Sequence, residues 1–136
     1  MNYLTEQDRQ AVIEFVARLK SRFASKLHGV VLYGSKARGE ATADSDIDLL
    51  VILDTRNREN RAQVNKAASR VSLAFDVLLL PHVFSWELWQ EMADAPFFFF
   101  REVFRDGWPV YGDPAVFAPL ARRDMPPLYD DTAVTA

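Results

Sequence analysis

Val12, Phe15, Val16, Leu19 and Phe23 recur at the three-and-four spacing that lays one apolar face along a helix. Thr5 stands ahead of them with Asp8 three residues later, the sequence form of a capping box, so a helix is predicted from there to about residue 26. The period then changes. His28 to Tyr33 is β-branched and apolar, a strand that ends in Gly34. Lys36 to Glu40 reads as a short helical turn and Ala41 to Ser45 as a loop. Ile47 to Leu53 is apolar almost without interruption, as befits a central strand covered on both faces.

Polar Asp54 to Asn60 ends that run, and Val64, Ala67, Ala68 and Val71 mark a second amphipathic helix. Phe75 to Leu80 reads as a third strand, stopped by Pro81. Ser85 can cap a helix through about Ala93, and Pro96 can start another that ends before Gly107. Helix, strand, strand, helix, strand and further helices, in that order, predict a small sheet with helices packed against it. From Asp113 onward, Pro114, Pro119, Pro126 and Pro127 forbid long regular elements. A division into a domain at residues 1–112 and a Pro-containing tail at 113–136 follows. That tail carries Val116, Phe117, Leu120, Met125, Leu128 and Tyr129, enough to wrap over the domain or to order on a partner.

Length and composition narrow the classes. A chain of 136 residues is one domain with a real core. Its net charge is −3, and Arg18, Lys20 and Arg22, then Arg56, Arg58 and Arg61, then Arg122 and Arg123 are spread along it. Strong nucleic-acid binding by the chain alone is therefore not expected. Cysteine is absent, which excludes disulfides and thiolate metal sites. The first eight residues are polar and acidic, unlike a secretory signal. No apolar run approaches the roughly 18 residues that cross a bilayer. The expectation is a cytoplasmic protein without a membrane segment.

Chemistry concentrates between Tyr33 and Leu50, where Gly34-Ser35 is followed after ten residues by Asp46-Ile47-Asp48. Gly34 lets the backbone approach a ligand without a Cβ in the way, and Ser35 offers a hydroxyl and an amide to a phosphate oxygen. Arg38, one turn later, can reach a phosphate. Asp46 and Asp48 are two apart, so on a strand they share a face, and two like charges held that close repel unless a cation sits between them. Asp76, inside the predicted third strand, is the candidate third carboxylate, since a charge on a buried strand demands a partner or a metal. Other motifs fail. Gly29 to Lys36 has Ser and Lys in the wrong order for a P-loop. Asp44, Asp46 and Asp48 begin like an EF-hand, but Leu49 and Thr55 stand where Gly and Glu are required. His28 and His82 share no metal-ligand spacing and read as strand-end residues.

Gly34-Ser35-Lys36-Ala37-Arg38-Gly39 with Ser45-Asp46-Ile47-Asp48-Leu49-Leu50-Val51 resembles the polymerase-β-like nucleotidyltransferases, and within them the minimal nucleotidyltransferases of bacteria and archaea. Arg101-Glu102-Val103 and Gly107-Trp108-Pro109-Val110-Tyr111 resemble the closing part of that domain, so the likeness spans about residues 10–112. It implies an α+β fold with a small mixed sheet flanked by helices. It also implies ATP as substrate and two Mg²⁺ ions, held by Asp46 and Asp48 with Asp76 completing the catalytic one. Gly34 and Ser35 would hold the outer phosphates. Free-standing members are often antitoxins of HEPN-type ribonuclease toxins, and some transfer AMP to a toxin tyrosine, the leading expectation here. Transfer to a small-molecule hydroxyl, as in aminoglycoside nucleotidyltransferases, and neutralisation by binding alone are the alternatives. Phe98 lies off the face formed by Phe97, Phe100 and Phe104 and is a candidate for the partner interface.

Overall fold

The computed structural model describes residues 4–40, 45–94 and 98–130, the side chains of Phe98 and Phe99 excepted. The capping box predicted at the first helix is present: Thr5 Oγ1 accepts from the Asp8 amide at 3.0 Å, and the Asp8 carboxylate accepts from the Thr5 amide at 3.1 Å. Helix α1 (Glu6–Phe23) ends in a single tighter turn, Ala24–Lys26, and feeds β1 (Leu27–Tyr33). The short α2 (Ser35–Arg38) precedes β2 (Ile47–Leu53), then α3 (Arg58–Phe75), β3 (Leu79–Ser85), α4 (Trp86–Asp94), α5 (Phe98–Asp106), β4 (Trp108–Gly112) and α6 (Pro114–Phe117).

The four strands lie in the order β3-β2-β1-β4. β1 pairs antiparallel with β2 and with β4, while β2 and β3 run parallel, so the sheet is mixed as expected. One face is closed by α1 and α3, where Val12, Phe15, Val16, Leu19, Val64 and Val71 meet Leu32, Leu49 and Val51. The other is closed by α4, α5 and α6, where Trp89, Phe100, Val103 and Phe117 meet Val31, Leu50 and Ile52. β2 is thus covered on both faces, which accounts for its unbroken apolar run.

One element departs from the sequence reading. Phe75 is the last residue of α3 and not the first of a strand, and Asp76 terminates the helix in the left-handed region at φ 53°. Ser72 organises this exit: its carbonyl accepts from the Val77 amide and its hydroxyl from the Leu79 amide. β3 begins three residues after Asp76 and runs through Pro81, beyond the end its sequence predicts. It can do so because β3 is an edge strand, where a missing N–H leaves no ladder bond to β2 unmade.

The segment after β4 wraps over the domain. Val116, Phe117, Leu120, Leu128 and Tyr129 are buried, and the amides of Leu128 and Tyr129 donate to the carbonyls of Pro109 and Val110. The expected interface residue Phe98 has its side chain outside the described residues, as do Phe97 and most of the predicted 41–45 loop.

Candidate active site

Tyr33 pairs with Asp48 across β1 and β2, so the chain leaving β1 turns directly over the start of β2. Gly34 makes that turn at φ 76°, a conformation L side chains rarely adopt. A Cβ at Gly34 would overlap a carboxylate oxygen of Asp48 and lie 3.0 Å from its Cγ. Glycine is required there twice over, once by dihedral and once by space. The ten-residue spacing of the sequence has become physical contact between the turn and the carboxylate.

Gly34 O accepts from the amides of Ala37 and Arg38 at 3.1 and 3.2 Å, and Gly39 closes the turn by donating to Ser35 O at 3.0 Å. The first amides of such a turn, at Ser35 and Lys36, have no acceptor within the helix and are left for a ligand or for water. Asp48 is half-buried and Asp46 exposed just ahead of the strand. Burial, and then the charge of Asp46, push the Asp48 carboxyl above the usual carboxylate range, against the opposing pull of His82 and Arg38. Burial, and then Asp48, raise the phenol of Tyr33, so it stays protonated at neutral pH. Among the described residues neither Asp46 nor Asp48 forms a salt bridge. Two hard, anionic carboxylates held close, without a salt bridge and with Asp48 still raised, suit a divalent cation, which would oppose that shift.

Arg38 lies close enough to bias Asp48 but bonds Glu40 at 3.1 Å, and it lines a cavity of about 90 Å³ with Tyr33, Gly34, Glu102 and Val103. Asp76 is not brought into this cluster. Exposed at the end of α3, it lines a separate depression with Ser45, Thr5, Gln7 and Asp8. Among the described residues no three His, Asp or Glu side chains converge as a metal cage. The β3 residues on the Asp48 side are instead Leu80, directly opposite, and His82 two further on, whose ring meets Tyr33 edge-on at 6.0 Å. His82 is therefore a site neighbour and not the strand-end residue its sequence position suggests. Only the β2–β3 register, hidden when Pro81 is read as a stop, could have placed it at the site.

A family model described as a nucleotidyltransferase domain matches residues 12–92, more than half of the chain. The chain belongs to the nucleotidyltransferase-domain family. Among its relatives, a Methanocaldococcus jannaschii protein named as a candidate protein adenylyltransferase is 31% identical over 104 residues, covering 76% of this chain and 98% of that protein. A second protein of that organism, named in the same way, is 32% identical over 76 residues, or 55% of this chain and 77% of its own length. A chain of a solved toxin–antitoxin with AMP-PNP superposes with a TM-score of 0.51 at 18% identity, covering 88% of this chain and 85% of that one. At that identity the likeness is one of fold. The expected nucleotidyltransferase and its α+β fold are both borne out. Among the described residues no helix of this nucleotidyltransferase is long and apolar enough to cross a membrane.

Proposed function

We propose that the chain transfers the AMP moiety of ATP to a tyrosine hydroxyl of a partner protein, the partner being a HEPN-type ribonuclease toxin and this chain its antitoxin. The observation that carries the chemistry is the seating of Gly34 on the Asp48 carboxylate. It sets the Gly34 turn against one of the two carboxylates, the juxtaposition that nucleotidyl transfer would need if the turn takes phosphate. The protein acceptor is supported by the naming of both archaeal relatives. The toxin partner is supported by the motif resemblance and accords with the shared fold of a toxin–antitoxin chain.

In this reading the amide and hydroxyl of Ser35 and the open backbone at Gly34 bind the outer phosphates, and Arg38 adds charge at the rim. Asp46 and Asp48 would hold Mg²⁺, which, when bound, supplies charge neutralisation at the phosphates and a more acidic acceptor hydroxyl. The acceptor oxygen attacks the α-phosphorus, the bond to the β-phosphate breaks, pyrophosphate departs and the hydroxyl proton passes to base or solvent. Asp76 is assigned no step, because it caps the end of α3 and lies ahead of the strand beside Asp48.

The test is transfer of label from α-labelled ATP with Mg²⁺ into a lysate of the source organism, comparing wild type with Asp48→Asn. A discrete labelled protein, absent with the mutant, is the expected result. No labelled protein would sink the protein-acceptor reading and favour a small-molecule hydroxyl or neutralisation by contact.

A further inference from the structure

Arg122 lies in the segment after the last strand, 85 residues from the turn it touches. One guanidinium nitrogen donates to the carbonyl of Ala37 at 2.8 Å and to that of Asp106 at 3.1 Å. Its guanidinium also lies 5.2 Å from the centre of the Trp108 ring. The backbone around it is fixed: the Ala121 amide donates to Phe104 O at 2.7 Å, and Leu120 is fully buried. Ala37 O is one of the last carbonyls of a four-residue helical turn, a group with no acceptor role inside the helix. Arg122 supplies its donor.

The same turn is held from the other side. The Lys36 ammonium is 2.8 Å from Asp8 Oδ2, and both side chains are buried. Asp8 is fixed in turn by the capping box of α1. The side chain of residue 36 and the carbonyl of residue 37 are therefore both tied to rigid elements, while the Gly34-Ser35 end stays open beside Asp48.

We propose that Arg122 and Lys36 are positioning residues of the nucleotide site, a two-sided clamp that holds Gly34-Ser35 in register with Asp48 before nucleotide arrives. The segment after β4 is then part of the binding site and not an appendage. Preorganisation of this kind matters because a turn that must order on binding gives up affinity to do so. The inference rests on reading Gly34-Ser35 as the phosphate-contacting turn.

Two measurements on the full chain separate the inference from that reading. Hydrogen exchange follows the amides of Ala37, Arg38 and Gly39, and calorimetry gives the Kd for ATP with Mg²⁺. In Arg122→Gln the three amides should lose protection, and the Kd should rise about tenfold, as for loss of an outer-shell support. The melting temperature should move by only a few degrees. Arg122→Lys should recover part of the protection and part of the affinity, since an ammonium can reach a carbonyl but lacks the planar group that stacks on Trp108. Faster exchange with unchanged ATP affinity, or unchanged exchange, would overturn the clamp. Wild type that binds no ATP with Mg²⁺ would instead remove the nucleotide reading, while the exchange data would still report whether Arg122 holds the turn.

Discussion

Two pairs of charged residues flank the Gly34-Ser35 turn and differ in almost every respect. Beneath it, Lys36 and Asp8 are opposite in sign, buried and 2.8 Å apart. Beside it, Asp46 and Asp48 are alike in sign, partly open to solvent and without a salt bridge among the described residues. The first pair is complete in itself, since the cost of burying each charge is offset by the other and by the capping box. The second is incomplete: burial first, and the charge of Asp46 after it, raise the pKa of Asp48. Perturbed carboxylates without a salt bridge concentrate at functional sites, and buried, paired charges are met where geometry is held.

The sharpest way to break that contrast is Asp48→Asn. It should lower nucleotidyl transfer on the order of 10³-fold, equivalent to about 4 kcal/mol of transition-state stabilisation, in a steady-state assay with saturating Mg²⁺. The fold should survive, because the change removes a repulsion. A mutant that lost activity only by melting would refute the argument.

Breaking the other pair should act first on the fold, with loss of transfer following only from the displaced turn. Lys36→Met leaves the Asp8 carboxylate buried without its cation, which costs about 3–5 kcal/mol. A chain of this size should then melt roughly 10 °C lower or more by calorimetry. Adding Asp8→Asn should restore most of that loss, because the neutral amide leaves no unpaired buried charge and keeps an acceptor for the Thr5 amide. If the double mutant melts as low as the single one, the pair contributes something other than mutual compensation.

A smaller effect distinguishes the two pairs by pH. The folded chain holds the Asp48 proton more tightly than the unfolded chain does, so this group favours the folded state as pH falls from above its raised pKa toward the ordinary carboxylate value. Above the raised pKa, the ionised carboxylate is a penalty. In EDTA at pH 7, Asp48→Asn should therefore melt slightly higher than wild type, with the gap closing on acidification. Mg²⁺ should raise the wild type and leave the mutant nearly unmoved. A gap that widens at low pH would mean that the sign of the shift is wrong.

The fold was legible wherever periodicity decided it. The face of α1, the capping box at Thr5 and the two-sided burial of β2 all follow from spacing alone. So did the heart of the site, because Gly34, Asp46 and Asp48 lie within fifteen residues and one hairpin-like pairing of β1 with β2 brings them together. What stayed hidden depended on long-range pairing or on a local override. Phe75 to Leu80 is apolar enough to be a strand, but Ser72 draws the amides of Val77 and Leu79 back toward α3 and delays the strand. In sequence Asp8 is a capping residue and Arg122 one of several scattered charges. Their second roles arise from contacts 28 and 85 residues away, which no local pattern encodes.

Asp76 is the residue on which sequence and structure diverge most, and it carries the smallest predicted effect. As the third carboxylate of a metal cage it should matter as much as Asp48. As the exposed terminator of α3, lining a depression with Ser45 and Gln7, it should matter little. Its left-handed backbone tolerates asparagine as well as aspartate, so Asp76→Asn should leave the melting temperature unchanged and isolate the charge. The expected fall in transfer rate is less than about tenfold, against 10³-fold for Asp48→Asn under the same Mg²⁺. A loss as deep as that of Asp48→Asn would show that residues 76–78 join β3 when nucleotide binds, carrying Asp76 toward Asp46. The site would then be assembled by the substrate and not held ready for it.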